Sequence, residues 1–189
     1  MAKTKQKRAK KKSFAYSNEV IGILIILISI IGIGGYGPAG NFIKAFSIFL
    51  VGNIYLLFLI LMLIAGGFLI LKRESPKLFT TKLIGMYIII LSFLILLHIK
   101  YIELNGTESV KIISETFENL MIAFKNANNI SNSGGGIIGA IFSWIFVSLF
   151  GNGTIIVVVT LIILGVILLF NVSIMNMINN IKDFIDKNR

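Results

Sequence analysis

Two hexapeptides fit the G-x-G-x-x-G pattern that can cradle a dinucleotide pyrophosphate. They are Gly32-Ile33-Gly34-Gly35-Tyr36-Gly37 and Gly134-Gly135-Gly136-Ile137-Ile138-Gly139. That chemistry needs a strand before the glycines, a helix after them and a later acid on the ribose. The first hexapeptide instead closes an apolar run, and the second follows a polar loop and opens another. No G-x-x-x-x-G-K-[ST] occurs in the 189 residues, so these residues hold no P-loop. One histidine, His98, cannot supply a multi-histidine site, and the absence of cysteine removes thiolate ligands and disulfides. No paired carboxylates or nucleophile–base pair can be assembled. The expectation is a chain with no catalytic, cofactor-binding or metal-binding residues.

The ionisable residues beside the apolar runs support this. Ionisable groups inside a membrane span mark function by default. Glu19 and His98 instead fall at predicted span ends. Glu19 reads as a first-turn residue favoured by the helix dipole. His98, with Lys100 and Tyr101, reads as an interfacial anchor.

The elements that must position these residues are membrane spans. The chain is 56% hydrophobic and only 14% charged, with a mean hydropathy of +0.92. Such apolar runs point to transmembrane helices. Hydropathy predicts four, over about 20–36, 45–71, 83–99 and 154–173. The segment 137–150 reaches only about 21 Å as a helix against a hydrocarbon core of about 30 Å. It reads as an interfacial or re-entrant helix packed on the fourth span. The fold class is therefore an all-α integral membrane protein: four transmembrane helices, that short helix, and amphipathic loop and tail helices.

Charge sets the orientation. The net charge of +10 is concentrated near the start, at Lys3, Lys5, Lys7, Arg8, Lys10, Lys11 and Lys12. These residues keep a tail, 1–18, in the cytoplasm and are candidates for contact with anionic lipid. The apolar run after them is longer than a signal-peptide core, and no clear small-x-small cleavage site follows, so the first span reads as uncleaved. The loop from Lys72 to Lys82 has four basic residues and one acid, and also belongs inside. Loop 103–133 carries Glu103, Glu108, Glu115 and Glu118 against Lys111 and Lys125, and belongs outside. Four spans, a membrane domain over 19–173, place both termini in the cytoplasm. A fifth at 137–150 would not.

Two segments show helical periodicity. Val110, Ile113, Phe117, Leu120, Met121 and Phe124 form one stripe in the external loop. Ile174, Met177, Ile178, Ile181, Phe184 and Ile185 form another in the tail, 174–189. Both read as amphipathic helices at the membrane surface.

Small residues let helix backbones approach closely in lipid. The helix-packing candidates are Gly134, Gly135, Gly136, Gly139 and Ser143, with Gly52 at the start of the second span and Gly66 and Gly67 near its end. Their placement favours assembly, with a second copy of the chain as the expected partner, over catalysis.

Several of these motifs together resemble a known family. They are Glu19-Val20-Ile21-Gly22, Gly37-Pro38-Ala39-Gly40, Val51-Gly52-Asn53-Ile54-Tyr55-Leu56, Gly66-Gly67, Gly134-Gly135-Gly136-Ile137-Ile138-Gly139-Ala140 and Leu149-Phe150-Gly151. In this order and spacing the chain resembles the N-terminal four-span domain of the FtsK/SpoIIIE DNA translocases. Phe58 stands where that pattern expects proline, and Gly151-Asn152-Gly153 is a residue short. The resemblance implies a non-catalytic anchor and assembly domain in the bacterial inner membrane, at the division septum. It implies a role in chromosome partition during cell division or sporulation, and septal division proteins as partners. DNA would be met only through an ATPase motor outside these residues. A motor gene or domain immediately downstream would favour that reading. The competing class is a stand-alone small channel, holin or transporter component.

Overall fold

The computed structural model of the chain describes residues 2–73, 77, 79–107, 111–125 and 133–171. Among them all regular structure is helical: α1 (Ala2–Gly34), α2 (Gly37–Val51), α3 (Tyr55–Lys72), α4 (Thr81–Asn105), α5 (Ile112–Lys125), α6 (Gly136–Phe150) and α7 (Thr154–Phe170). Short 3₁₀ turns at Gly52–Ile54 and Gly151–Gly153 join α2 to α3 and α6 to α7. Three helical stretches are long and apolar enough to cross a membrane: Gly37–Lys72, Thr81–Asn105 and Gly136–Phe170. Asn18–Gly34 is a shorter apolar helix.

Local chemistry fixes the boundaries. Thr80 caps α4, its hydroxyl accepting from the Leu83 N–H at 3.4 Å. Gly106, at φ +64°, ends that helix in the left-handed conformation. Arg73 and Asn171 end α3 and α7 the same way.

The structure differs from the sequence expectation at several points. The basic segment is continuous with the first apolar helix, because α1 starts at Ala2. The apolar stretch 45–71 is not one helix. It breaks at Gly52, whose φ of 62° and ψ of −132° are open only to glycine. Helix α7 ends at Phe170 rather than 173. The tail helix expected over 174–189 lies outside the described residues.

Helices α1 and α3 run antiparallel, with Gly22 against Gly66 and Gly32 near Leu59. The end of α1 and the start of α3 therefore lie at one end of the bundle. Helix α2 joins them with 15 residues, about 22 Å of helix. Both its ends lie at that level, so it runs across the bundle end. Helix α6 does the same between α4 and α7. It begins against Leu94, while Gly85 faces Gly165 further down.

The fold is thus two copies of one unit. Unit 1 is α1, α2 and α3; unit 2 is α4, α6 and α7. The most extensive helix pairings are the equivalent ones, α1 with α3 and α4 with α7. Gly35, Gly37, Gly40, Gly52, Asn53 and Gly66 match Gly134, Gly136, Gly139, Gly151, Asn152 and Gly165 at one constant offset. Buried Leu59 matches buried Val158 at that offset. In the leading helices Gly22 and Ser29 match Gly85 and Ser92. Both serines are fully buried and donate to the carbonyl four residues back, at 2.8 Å. Unit 2 differs in an insertion between α4 and α6, which contains α5. Arg73 ends unit 1 and Thr81 starts α4 close by in sequence. The two units therefore point the same way, as a parallel repeat.

Candidate functional site

Among the described residues no group of three His, Asp or Glu side chains could hold a metal. Glu19 lies within α1 rather than in its first turn, and its carboxylate pairs with Arg73. Asn18 donates to the Arg73 carbonyl at 3.3 Å, closing the same corner between α1 and α3. The ion pair is largely exposed on the arginine side, where such a bond contributes about 0–1 kcal/mol.

His98 is not an interfacial anchor. It is fully buried, between Thr116 of α5 and the glycines Gly134 and Gly139 at the opening of α6. Its Nε2 lies 3.2 Å from the Thr116 hydroxyl, and its ring lies 5.3 Å from that of Tyr101. The Tyr101 hydroxyl accepts from Asn119 at 2.8 Å. A cavity of about 280 Å³ beside this contact is lined by polar Tyr101, Asn105, Thr116, Asn119 and Ser133 and by apolar Leu104, Leu120 and Ile122, with no charged side chain. The group therefore locks α5 onto α4.

The buried face of α5 is not the stripe expected there: of that stripe Leu120 is buried, Phe117 and Met121 are exposed, and Val110 lies outside the described residues. Ile112, Thr116 and Leu120 are buried. Phe117 and Phe124 make edge-to-face contacts with Phe49 and Phe42 of α2, at 5.9 and 5.6 Å. Helix α5 thus spans from unit 2 to unit 1.

The built feature of the molecule is its set of glycine seams. A Cβ on Gly22 would lie 2.7 Å from the Gly66 carbonyl oxygen, and one on Gly66 would lie 2.8 Å from that of Gly22. Gly85 and Gly165 repeat the arrangement at 2.6 and 2.9 Å. Backbone meets backbone at both places, which no other residue permits. In lipid such packing supplies the association that the hydrophobic effect supplies in water.

A third seam joins the units. The Asn53 N–H donates to the Gly134 carbonyl at 2.9 Å. The Asn53 side-chain oxygen accepts from the Ser133 N–H at 2.9 Å. A Cβ on Gly136 would lie 2.6 Å from the Leu50 carbonyl oxygen, and one on Gly52 would strike Gly134. The end of α2 is thereby latched onto the loop that opens α6.

The sequence-derived candidates fall as follows. Gly52, Gly134 and Gly136 meet at the latch. Gly135 and Gly139 lie on the Leu94 carbonyl of α4, and Ser143 donates to the Ile95 carbonyl at 3.3 Å. Gly66 sits in the first seam, but a Cβ on Gly67 would meet nothing within 4 Å. Lys3, Lys5, Lys7, Arg8, Lys10, Lys11 and Lys12 lie in the first turns of α1, and their side chains are outside the described set. Gly22, Gly85, Gly165 and Asn53 were missed. The constant offset between the two sets of glycines was a signal for Gly165 and Asn53, and it does not reach Gly22 and Gly85.

Long apolar helices held by glycine seams define the class as a helical membrane bundle. No family model matches the chain, and no solved structure matches it. Curated relatives do. The chain is 30% identical over 184 residues to a protein of Listeria monocytogenes named DNA translocase FtsK, covering 97% of this chain and 24% of that protein. It is 34% identical over 176 residues to the DNA translocase SpoIIIE of Bacillus subtilis, covering 89% and 22%. It is 31% identical over 186 residues to a DNA translocase FtsK of Oceanobacillus iheyensis, covering 92% and 24%. The resemblance carried by the glycine motifs is therefore one of homology to the FtsK/SpoIIIE DNA translocases. The chain spans about a quarter of their length, consistent with an N-terminal domain of that family.

Proposed function

We propose that these residues form the membrane anchor and assembly domain of a septal DNA translocase acting in chromosome segregation. The observation that carries the reading is the match of nearly the whole chain to a quarter of proteins named DNA translocase. In this chain the matched stretch is built from helix-packing residues.

On this reading α1 from Asn18, α3, α4 and α7 are four spans. Helices α2 and α6 lie across their outer ends, in the interface. Two features support it. The start of the apolar part of α1 and the end of α3 lie together at Asn18 and Arg73. Gly85, near the start of α4, lies against Leu168 and Leu169 at the end of α7. Each unit thus begins and ends on one side, and the basic residues in the first turns of α1 and around Arg73 favour the cytoplasm for it. Both termini then face inward, and the basic segment contacts anionic lipid.

The domain performs no catalysis itself. It associates with the bilayer, with further copies of itself and with septal division proteins. It reaches DNA only through a motor supplied outside these 189 residues. A fluorescent fusion in dividing cells tests this. Enrichment at septa is expected; an even distribution around the cell periphery would overturn the reading.

A further inference from the structure

The internal latch has both of its halves twice, and only one pair is engaged. Unit 1 supplies the Gly52-Asn53 edge and unit 2 supplies Gly134-Gly135-Gly136. These are in contact, and Val51, Gly52, Gly134, Gly135 and Gly136 are all buried. The remaining halves are open. At the end of unit 2, Phe150, Gly151 and Asn152 are exposed, and a Cβ on Gly151 would meet nothing within 4 Å. At the start of unit 1, Tyr36 and Gly37 are exposed, and a Cβ on Gly37 would meet nothing within 4 Å.

The open halves keep the conformation of the engaged ones. Gly151 has φ 52° and ψ −127°, close to 62° and −132° at Gly52. Gly35 and Gly37, at φ 59° and 63°, repeat Gly134 and Gly136, at 52° and 63°. Left-handed glycine conformations are held here without the contact that accompanies them in the other unit.

We infer that the Gly151-Asn152 edge of one copy docks on the Gly35-Tyr36-Gly37 loop of a second copy of this chain. The contact repeats the internal latch, with the Asn152 N–H donating to the Gly35 carbonyl as Asn53 does to Gly134. Unlike surfaces meet, so the interface is heterologous and propagates head to tail, with the units of neighbouring copies alternating along it. The inference deepens the assembly part of the function proposed above and rests on it.

The chain contains no cysteine, so introduced thiols report cleanly. Two differently tagged full-length chains are co-expressed in cells, one Tyr36→Cys and the other Asn152→Cys, and their membranes are oxidised. Asn53→Cys with Ser133→Cys in one chain serves as the internal control and crosslinks within the chain. Both test positions are exposed, and a normal yield in the membrane establishes folding. The unlike pair is expected to crosslink on the order of tenfold more than either same-position mixture, since a heterologous contact brings unlike sites together. Equal or greater same-position crosslinking would overturn this surface while leaving assembly standing. No crosslink in any mixture, with the control intact, would overturn the surface as well. Septal localisation is read separately and does not depend on either outcome.

Discussion

Gly22 of α1 and Gly66 of α3 face one another so closely that a methyl group on either would press on the other's carbonyl oxygen, at 2.7 and 2.8 Å. The contact sits where the two helices cross, near the end of the bundle that holds Asn18 and Arg73. Neither side can yield by rotating a side chain, because the opposing atom is backbone.

Gly66→Ala is therefore expected to destabilise the α1–α3 pair by about 1–3 kcal/mol, the range for overpacking. The adjacent Gly67→Ala, with open space around it, should be neutral or stabilising by about 0.5–1 kcal/mol through helix propensity. Unfolding in mixed detergent micelles measures both. Equal losses at the two positions would contradict the seam.

The equivalent pair should behave alike. Gly165→Ala meets the Gly85 carbonyl and Ile89, and is expected to lose stability by a similar margin. Gly66 and Gly165 lie in different units, so the double variant should lose the sum of the two to within about 0.5 kcal/mol. The same unfolding assay reads it.

What distinguishes Gly66 from Gly67 was not legible in the sequence. Successive helical residues point about 100° apart, and local sequence does not say which direction holds the partner. The same limit hid Gly22, Gly85 and Gly165, each lying alone in an apolar run. The all-helical class and the positions of α4, α6 and α7 were legible, because long apolar runs leave few alternatives, although α4 runs on to Asn105 and α7 stops at Phe170. The break at Gly52 was not, since a hydropathy window averages across it. His98 was misplaced for another reason. Its burial depends on α5 and the opening of α6, neighbours distant in sequence.

Gly52 and Gly151 separate conformational strain from contact. Both have positive φ, so alanine at either should cost about 1–3 kcal/mol. Only Gly52 also faces backbone of the opposing loop. In monomeric detergent solution Gly52→Ala is expected to be the more damaging, and to free the latch. Hydrogen exchange at the Asn53 amide reports that release.

Thr116→Val removes the hydroxyl beside buried His98. A loss of about 1–3 kcal/mol is expected from leaving a buried polar atom without its partner. The loss should be confined to α5, raising proteolysis between Ile112 and Lys125 and sparing α1 and α3. Limited proteolysis followed by mass spectrometry maps the cuts.

The most direct measurement for the proposed function is replacement. In a chimera these residues stand in place of the matched segment of Bacillus subtilis SpoIIIE, with the rest of that protein unchanged. The account predicts a chimera enriched at septa and clearing chromosomal DNA from the closing septum, with the Gly22→Leu, Gly66→Leu version failing at both. A chimera that is stably inserted in the membrane yet spread evenly around the cell, with DNA left trapped, would contradict it.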